Sequence, residues 1–252
     1  MNLNEAIKNG RKFLKSHHDE IEENFQSDQN KKIPQPALEK EYDKNKEIIE
    51  LTPEEEFDFD EINLKDLIKN RKSHRTFIDK PLSLKELSFL LWSTQGTKEI
   101  IKNNYAALKT VPSAGARHPF ETYLYIRNVE NLEQGLYRYL SLEHKLLKIE
   151  TGNFDEQMLE AALGQRMVIK SAVDFIWTVT PYRTEWRYSI LSHKIIALDA
   201  GHICQNLYLS SELINAGTCA IGAYSQTKSD ELLKLDGKEE FTIYMAPVGK
   251  IK

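Results

Sequence analysis

The chain has 252 residues, 40% of them hydrophobic, which suffices for one large buried core or one core with an appendage. A formal net charge of −4 and scattered basic residues leave no electrostatic case for nucleic-acid binding. Polar residues follow Met1 and no run is long and apolar enough to span a bilayer, so a cytoplasmic protein without signal peptide or membrane contact is expected.

Residues 1–60 read as an N-terminal arm rather than a domain. Leu3, Ile7, Leu14, Ile21 and Phe25 suggest a helix with a narrow apolar stripe, Gln26 to Lys32 is linker-like, and Pro34 and Pro36 hold the next segment extended. Thr52-Pro53-Glu54-Glu55 opens like a helix but Phe57-Asp58-Phe59-Asp60 does not continue it, so only a turn is expected.

Residues 61–252 read as one domain. A helix from Leu64 to Asn70 is capped by Asn63, and Ser83-Leu84-Lys85-Glu86 opens a longer one to Thr94, with Leu84, Leu87, Leu90 and Leu91 inward and Gly96 ending it. Lys98 to Lys109 reads as a polar loop without a motif. Glu121 to Asn128 reads as a strand, Gly135–Tyr139 with Lys145–Ile149 as a hairpin, and Phe154 to Gln165 as a helix. Ala172 to Thr180 is a strongly apolar strand stopped by Pro181, Lys228 to Lys234 is helical, and Phe241 to Val248 is the last strand. Strands and helices mix without strict βαβ alternation, which predicts an α+β fold.

The central element is the helix that begins near His193. Ile196, Ala200, Ile203, Leu207 and Ile214 form one stripe, with Ala197, Gly201, Cys204 and Tyr208 beside it. Asp199 is its one formal charge between Ile195 and Ser211, so no fully wet face is expected. Gly217 and Gly222 bound a following turn where the backbone needs freedom or a ligand comes close. Cys204 and Cys219 sit in apolar surroundings and read as buried, reduced and structural.

Two stretches carry candidate chemistry. Arg71-Lys72-Ser73-His74-Arg75 is a compact donor set for a dianion such as a phosphate, and equally a solvated basic run. Val111-Pro112-Ser113-Ala114-Gly115-Ala116-Arg117-His118-Pro119 lets backbone amides approach a ligand, and equally is a tight loop entering a strand. Asp199 and His202, three residues apart on one helix, read as helix packing and capping of neighbouring loops rather than as an acid/base pair.

In their order along the chain, the basic run, the Ser113 loop, Asp199-Ala200-Gly201-His202, the Gly217–Gly222 turn and Pro247-Val248-Gly249-Lys250 resemble the nitroreductase-like FMN flavoproteins. The likeness is to their SagB-type dehydrogenase branch, which includes azoline oxidases, and covers roughly Leu64 to Lys250. It implies a mainly antiparallel sheet flanked by helices, a buried central helix, and a homodimer with FMN at the subunit interface. It further implies that Arg71, Lys72, Ser73 and Arg75 hold the phosphate and ribityl chain, joined by Lys250. Pro112, Ser113, Ala114 and Gly115 would reach the flavin from the other subunit, and Ala220, Ile221 and Gly222 would lie along the ring near N5. The implied activity is ping-pong hydride transfer through N5 between a donor such as NAD(P)H and a small-molecule or peptide-derived substrate, without a metal.

Two positions depart from the family pattern. Ala116 stands where many nitroreductases have Asn, so backbone amides or Arg117 would make the contact to the flavin edge. Trp186-Arg187-Tyr188 stands where azoline oxidases have a Lys-Tyr pair. Arg187 stays protonated and cannot serve as a base, which leaves Tyr188 as the candidate proton donor.

Overall fold

In the computed structural model, which describes residues 2–17, 19 and 26–252, the strands are Ile48–Glu50 (β1), Thr97–Ile101 (β2), Ala106–Lys109 (β3), Phe120–Ile126 (β4), Gly135–Leu140 (β5), Lys145–Thr151 (β6), Val173–Val179 (β7), Ala216–Thr218 (β8) and Phe241–Lys250 (β9). The helices are Leu3–Leu14 (α1), Leu64–Asn70 (α2), Leu84–Gln95 (α3), Asp155–Ala161 (α4), Tyr182–Tyr188 (α5), Ser192–Leu213 (α6) and Gln226–Leu233 (α7). All strands but β2 and β3 form one sheet, in the order β1-β6-β5-β4-β7-β9-β8, and every neighbour in it pairs antiparallel. The fold is therefore α+β, with helices on both faces.

Pleating explains the two layers, because alternate side chains of a strand face opposite ways. Phe120, Leu124 and Ile126 of β4 join a core with Leu87, Leu90 and Leu91 of α3 and Ile196, Ile203 and Leu207 of α6. Tyr123 and Tyr125 face the other way, onto Met158 and Ala161 of α4 and Leu232 and Leu233 of α7. The tyrosines of β4 and β5 thus serve packing. The start of α3 is a complete capping box, in which the Ser83 hydroxyl accepts the Glu86 N–H and the Glu86 carboxylate accepts the Ser83 N–H.

Several expectations need correction. Residues 48–50 of the expected arm are a strand, with Ile48 and Ile49 opposite Leu147 and Leu146. Three residues are too few to display a period of two, so the alternation could not be seen. Glu39, also in the arm, accepts N–H and O–H from Ser141 and N–H from Leu142, stitching that segment to the end of β5. The stretch expected as a loop from Lys98 to Lys109 is largely the β2–β3 hairpin, turned by Lys102, Asn103 and Asn104 at positive φ. Its outer strand is exposed, so charged residues masked its strand character. α4 ends at Ala161 rather than Gln165, because Leu163 and Gly164 both take positive φ. The expected first helix is α1, whereas Ile21 and Phe25 lie outside the described residues.

α6 runs for 22 residues. Its predicted inner stripe is buried, yet Ala197, Leu198, Gly201, His202 and Gln205 form an exposed face within the single chain, with Leu198 at 56%. The expectation of no wet face fails for this chain taken alone. Cys204 and Cys219 are free and buried, and burial pushes the Cys204 thiol up to about 12. Among the described residues, no helix is long and apolar enough to cross a membrane.

Candidate active site

α6 fixes two groups of residues at different heights. Near its N-terminal half, the buried Asp199 carboxylate accepts the Ser113 hydroxyl at 2.6 Å and the Ala114 N–H at 3.2 Å. Ser113 Oγ in turn accepts the His118 N–H at 3.0 Å. Burial raises the pKa of Asp199, while Ser113 and Ala114 pull it back down. His202 is exposed, with Nδ1 3.8 Å from Asp199 Oδ1. Asp199, rather than the pair, thus caps the loop from the helix.

The loop itself is wound tightly, with Gly115, Ala116 and His118 all at positive φ. Its Ala114 amide is spent on Asp199 and its Ala116 amide on the Ser113 carbonyl. Arg117 is turned inward, correcting the expectation that it reaches a ligand. Its Nε donates to the Gly115 carbonyl and its Nη2 to the Tyr105 carbonyl, and its guanidinium lies between the rings of Tyr105 and Trp186. Burial lowers its pKa.

Arg187 and Tyr188 end α5 directly against this loop. A Cβ on Gly115 would stand 2.7 Å from Arg187 Cδ and 2.9 Å from the Tyr188 hydroxyl, so the glycine is what lets the pair approach. Arg187 Nη1 also donates to the Tyr105 hydroxyl at 3.1 Å. Tyr105 has no motif around it, and its role becomes visible only once β2 and β3 pair.

His118 makes this loop acid-sensitive. Burial, reinforced by the charges of Lys109 and Arg117, lowers its pKa to about 3. The folded state then binds fewer protons than the unfolded one, so this contribution to stability is present above pH 6.5 and is lost as the pH falls toward 3. Urea unfolding between these limits should show a loss of up to about 1.4 kcal/mol per pH unit from this one group. His118→Gln, which keeps a donor without titrating, should flatten that slope.

The second group gathers near the C-terminal half of α6, at Tyr208. Its hydroxyl accepts the Ala220 N–H at 2.9 Å and bonds Ser73 Oγ at 3.0 Å, while the Arg71 guanidinium lies over its ring at 5.2 Å. Sequence reading left Tyr208 in an apolar stripe, although a tyrosine on a mostly buried helix needs a partner for its hydroxyl. The basic run lies alongside the sheet, with His74 N–H on the Thr218 carbonyl and Ile78 N–H on that of Lys250. Gly217 is required by His74, whose Cγ would be 2.5 Å from an added Cβ.

The remaining predicted residues divide by exposure. Lys72 and Arg75 are exposed, and no ion pair links Arg71, Lys72 or Arg75 to a carboxylate among the described residues. Ile221 is buried and its backbone pairs with Met245, whereas Gly222 is exposed, with nothing within 4 Å of where its Cβ would be. Pro112 is exposed at the rim of the Ser113 loop. Lys250 is buried, with Nζ on the Glu86 carboxylate and on the Ile214 carbonyl at 2.6 Å, and so ties the sheet end to α3 rather than standing open beside Arg71. From Asp199 to Tyr208 is nine residues of helix, so the two groups are about 13 Å apart.

The Nitroreductase family model matches residues 68–250, a span that contains both groups and the whole of the basic run. The chain belongs to the nitroreductase family. As a nitroreductase-family chain it is similar to MJ1384 of Methanocaldococcus jannaschii, which bears the nitroreductase name, at 31% identity over 193 residues, 77% of this chain and 93% of that protein. A crystal structure bearing the same name, from Ralstonia eutropha JMP134, shares the fold with a TM-score of 0.68 at 24% identity, covering 87% of this chain and 94% of that one. The trifolitoxin-processing protein TfxB of Rhizobium leguminosarum bv. trifolii is 29% identical over 133 residues, 51% of this chain and 36% of its own length. Family membership makes this chain a nitroreductase-family oxidoreductase.

Proposed function

We propose that the chain is an FMN-dependent oxidoreductase of the SagB-type dehydrogenase branch, acting in the cytoplasm as a homodimer. One observation carries this reading. Among the described residues, Arg71, Lys72 and Arg75 stand without carboxylate partners beside Ser73, whose hydroxyl meets the Tyr208 hydroxyl that also accepts the Ala220 N–H. Three unneutralised cations and a hydroxyl suit a phosphate dianion, because guanidinium groups offer forked donors to its oxygens. His74, in the same run, sets its Nε2 3.5 Å from Glu212 Oε1 instead and is not part of this donor set.

The exposed face of α6 supports reading the protein as a dimer. Two chains related by a two-fold axis across the exposed Ala197, Leu198 and Gly201 would set the Ser113 loop of each near the basic run of the other. Pro112–Gly115, Arg187 and Tyr188 would then close a pocket that one chain leaves open. When bound, FMN supplies hydride uptake and delivery, which no side chain here can provide. The Arg187 guanidinium would stabilise negative charge at the reacting end, and Tyr188 would hold or deliver a proton to substrate. Donor, such as NADH or NADPH, and acceptor would occupy the pocket in turn.

The likeness to the trifolitoxin-processing protein TfxB favours a second reading, in which the hydride donor to the flavin is an azoline-bearing peptide. Turnover of a thiazoline peptide to a thiazole, set beside reduction of quinones and nitroaromatics, separates the two. The test of the first reading is FMN binding. Flavin fluorescence should be quenched on titration with the protein, and Arg71→Ala and Arg75→Ala should each weaken binding by about 1.5–3 kcal/mol, the range for bonds to charged groups. Unchanged affinity in both variants would remove the phosphate site from this run.

A further inference from the structure

Tyr105 lies immediately before β3 and receives two donors at its hydroxyl: Arg187 Nη1 at 3.1 Å and Gln29 Nε2 at 2.7 Å. Its carbonyl takes Arg117 Nη2, so one residue contacts both arginines of the Ser113 loop region. Gln29 belongs to a segment fastened on two sides. Toward α5, Gln29 N–H meets the Trp186 carbonyl at 2.9 Å, Trp186 Nε1 meets the Ile33 carbonyl at 2.9 Å, and the Tyr182 hydroxyl meets Asp28 at 3.0 Å. Toward the hairpin, Gln35 Nε2 donates to the Asn104 carbonyl at 2.6 Å.

The physical need for such a brace is plain. Arginine has many rotamers to lose, and Arg187 packs its stem against a glycine that offers no side chain to hold it. An acceptor on a rigid ring can select one rotamer, and a second donor on the same oxygen fixes that ring in turn. We infer that Tyr105 and Gln29 are positioning residues for Arg187, so that residues 28–35 and the β2–β3 hairpin are working parts of the site. This rests on the reading above, in which Arg187 lies at the reacting end beside the flavin.

The test uses the FMN-loaded protein and two readouts. Tyr105→Phe keeps the ring beneath Arg117 and removes only the hydroxyl, and Arg187→Met keeps the stem and removes the charge. Arg187→Met should move the FMN midpoint potential to more negative values, Tyr105→Phe should move it part of the way, and adding Tyr105→Phe to Arg187→Met should move it no further. The Arg187 Nε–H resonance should be sharp in the parent protein and broadened in Tyr105→Phe and Gln29→Leu, with melting temperatures preserved. Equal potential shifts from Tyr105→Phe in both backgrounds, or an unchanged Nε–H resonance, would overturn the inference. If Arg187→Met leaves the potential unmoved, the placement of Arg187 beside the flavin fails instead. The resonance then decides the Tyr105 brace by itself.

Discussion

Asp199→Ala should lose about 2–4 kcal/mol of folding stability in urea and most of the turnover of the FMN-loaded protein. The carboxylate holds two donors of the Ser113 loop, at 2.6 and 3.2 Å, and hydrogen bonds to charged groups contribute about 1.5–3 kcal/mol each. Part of that is recovered by water, since the loop is only half-buried. Losing the clamp frees a loop wound through three positive-φ residues, which has little reason to keep its shape alone. Asp199→Asn keeps an acceptor of the same size and should fall between the parent and the alanine variant. If both variants retained parental stability and turnover, α6 would not be what shapes this loop.

Gly115→Ala should separate activity from stability. Alanine at φ +60 costs about 1–2 kcal/mol, and its Cβ would stand 2.7 Å from Arg187 Cδ and 2.9 Å from the Tyr188 hydroxyl. A flexible arginine can retreat, so the fold survives. The retreat displaces both residues assigned to the reacting end, and displacements near 1 Å can cost up to about a hundredfold in rate. A drop in kcat/KM of about tenfold or more with FMN affinity nearly unchanged is the expected result. Parental kinetics in Gly115→Ala would mean that Arg187 and Tyr188 do not act where they contact this loop.

Local chemistry made much of the framework readable. The Ser83 capping box, Asn63 as a helix cap, the β5–β6 hairpin, the apolar run of β7 and the inner stripe of α6 each declare themselves within a few residues. The ordered motifs pointed to the right family for the same reason, since a ligand-holding loop needs particular residues at fixed spacing. What failed were elements too short or too exposed to show a period: β1 with three residues, and β2 with its charged outer face.

By itself, then, the sequence determined most of the helices and strands and which side of α6 turns inward. All of these follow from neighbours within about two turns or one hairpin, where spacing alone sets who faces whom. Only the tertiary structure decided that Asp199 clamps Ser113, that Tyr208 joins Ser73 to Ala220, that Lys250 is spent on Glu86, and that Gln29 and Tyr105 meet at Arg187. These pairs lie from twelve to more than a hundred residues apart in the chain. No local period connects them, and they meet because packing the two faces of one sheet brings their elements together.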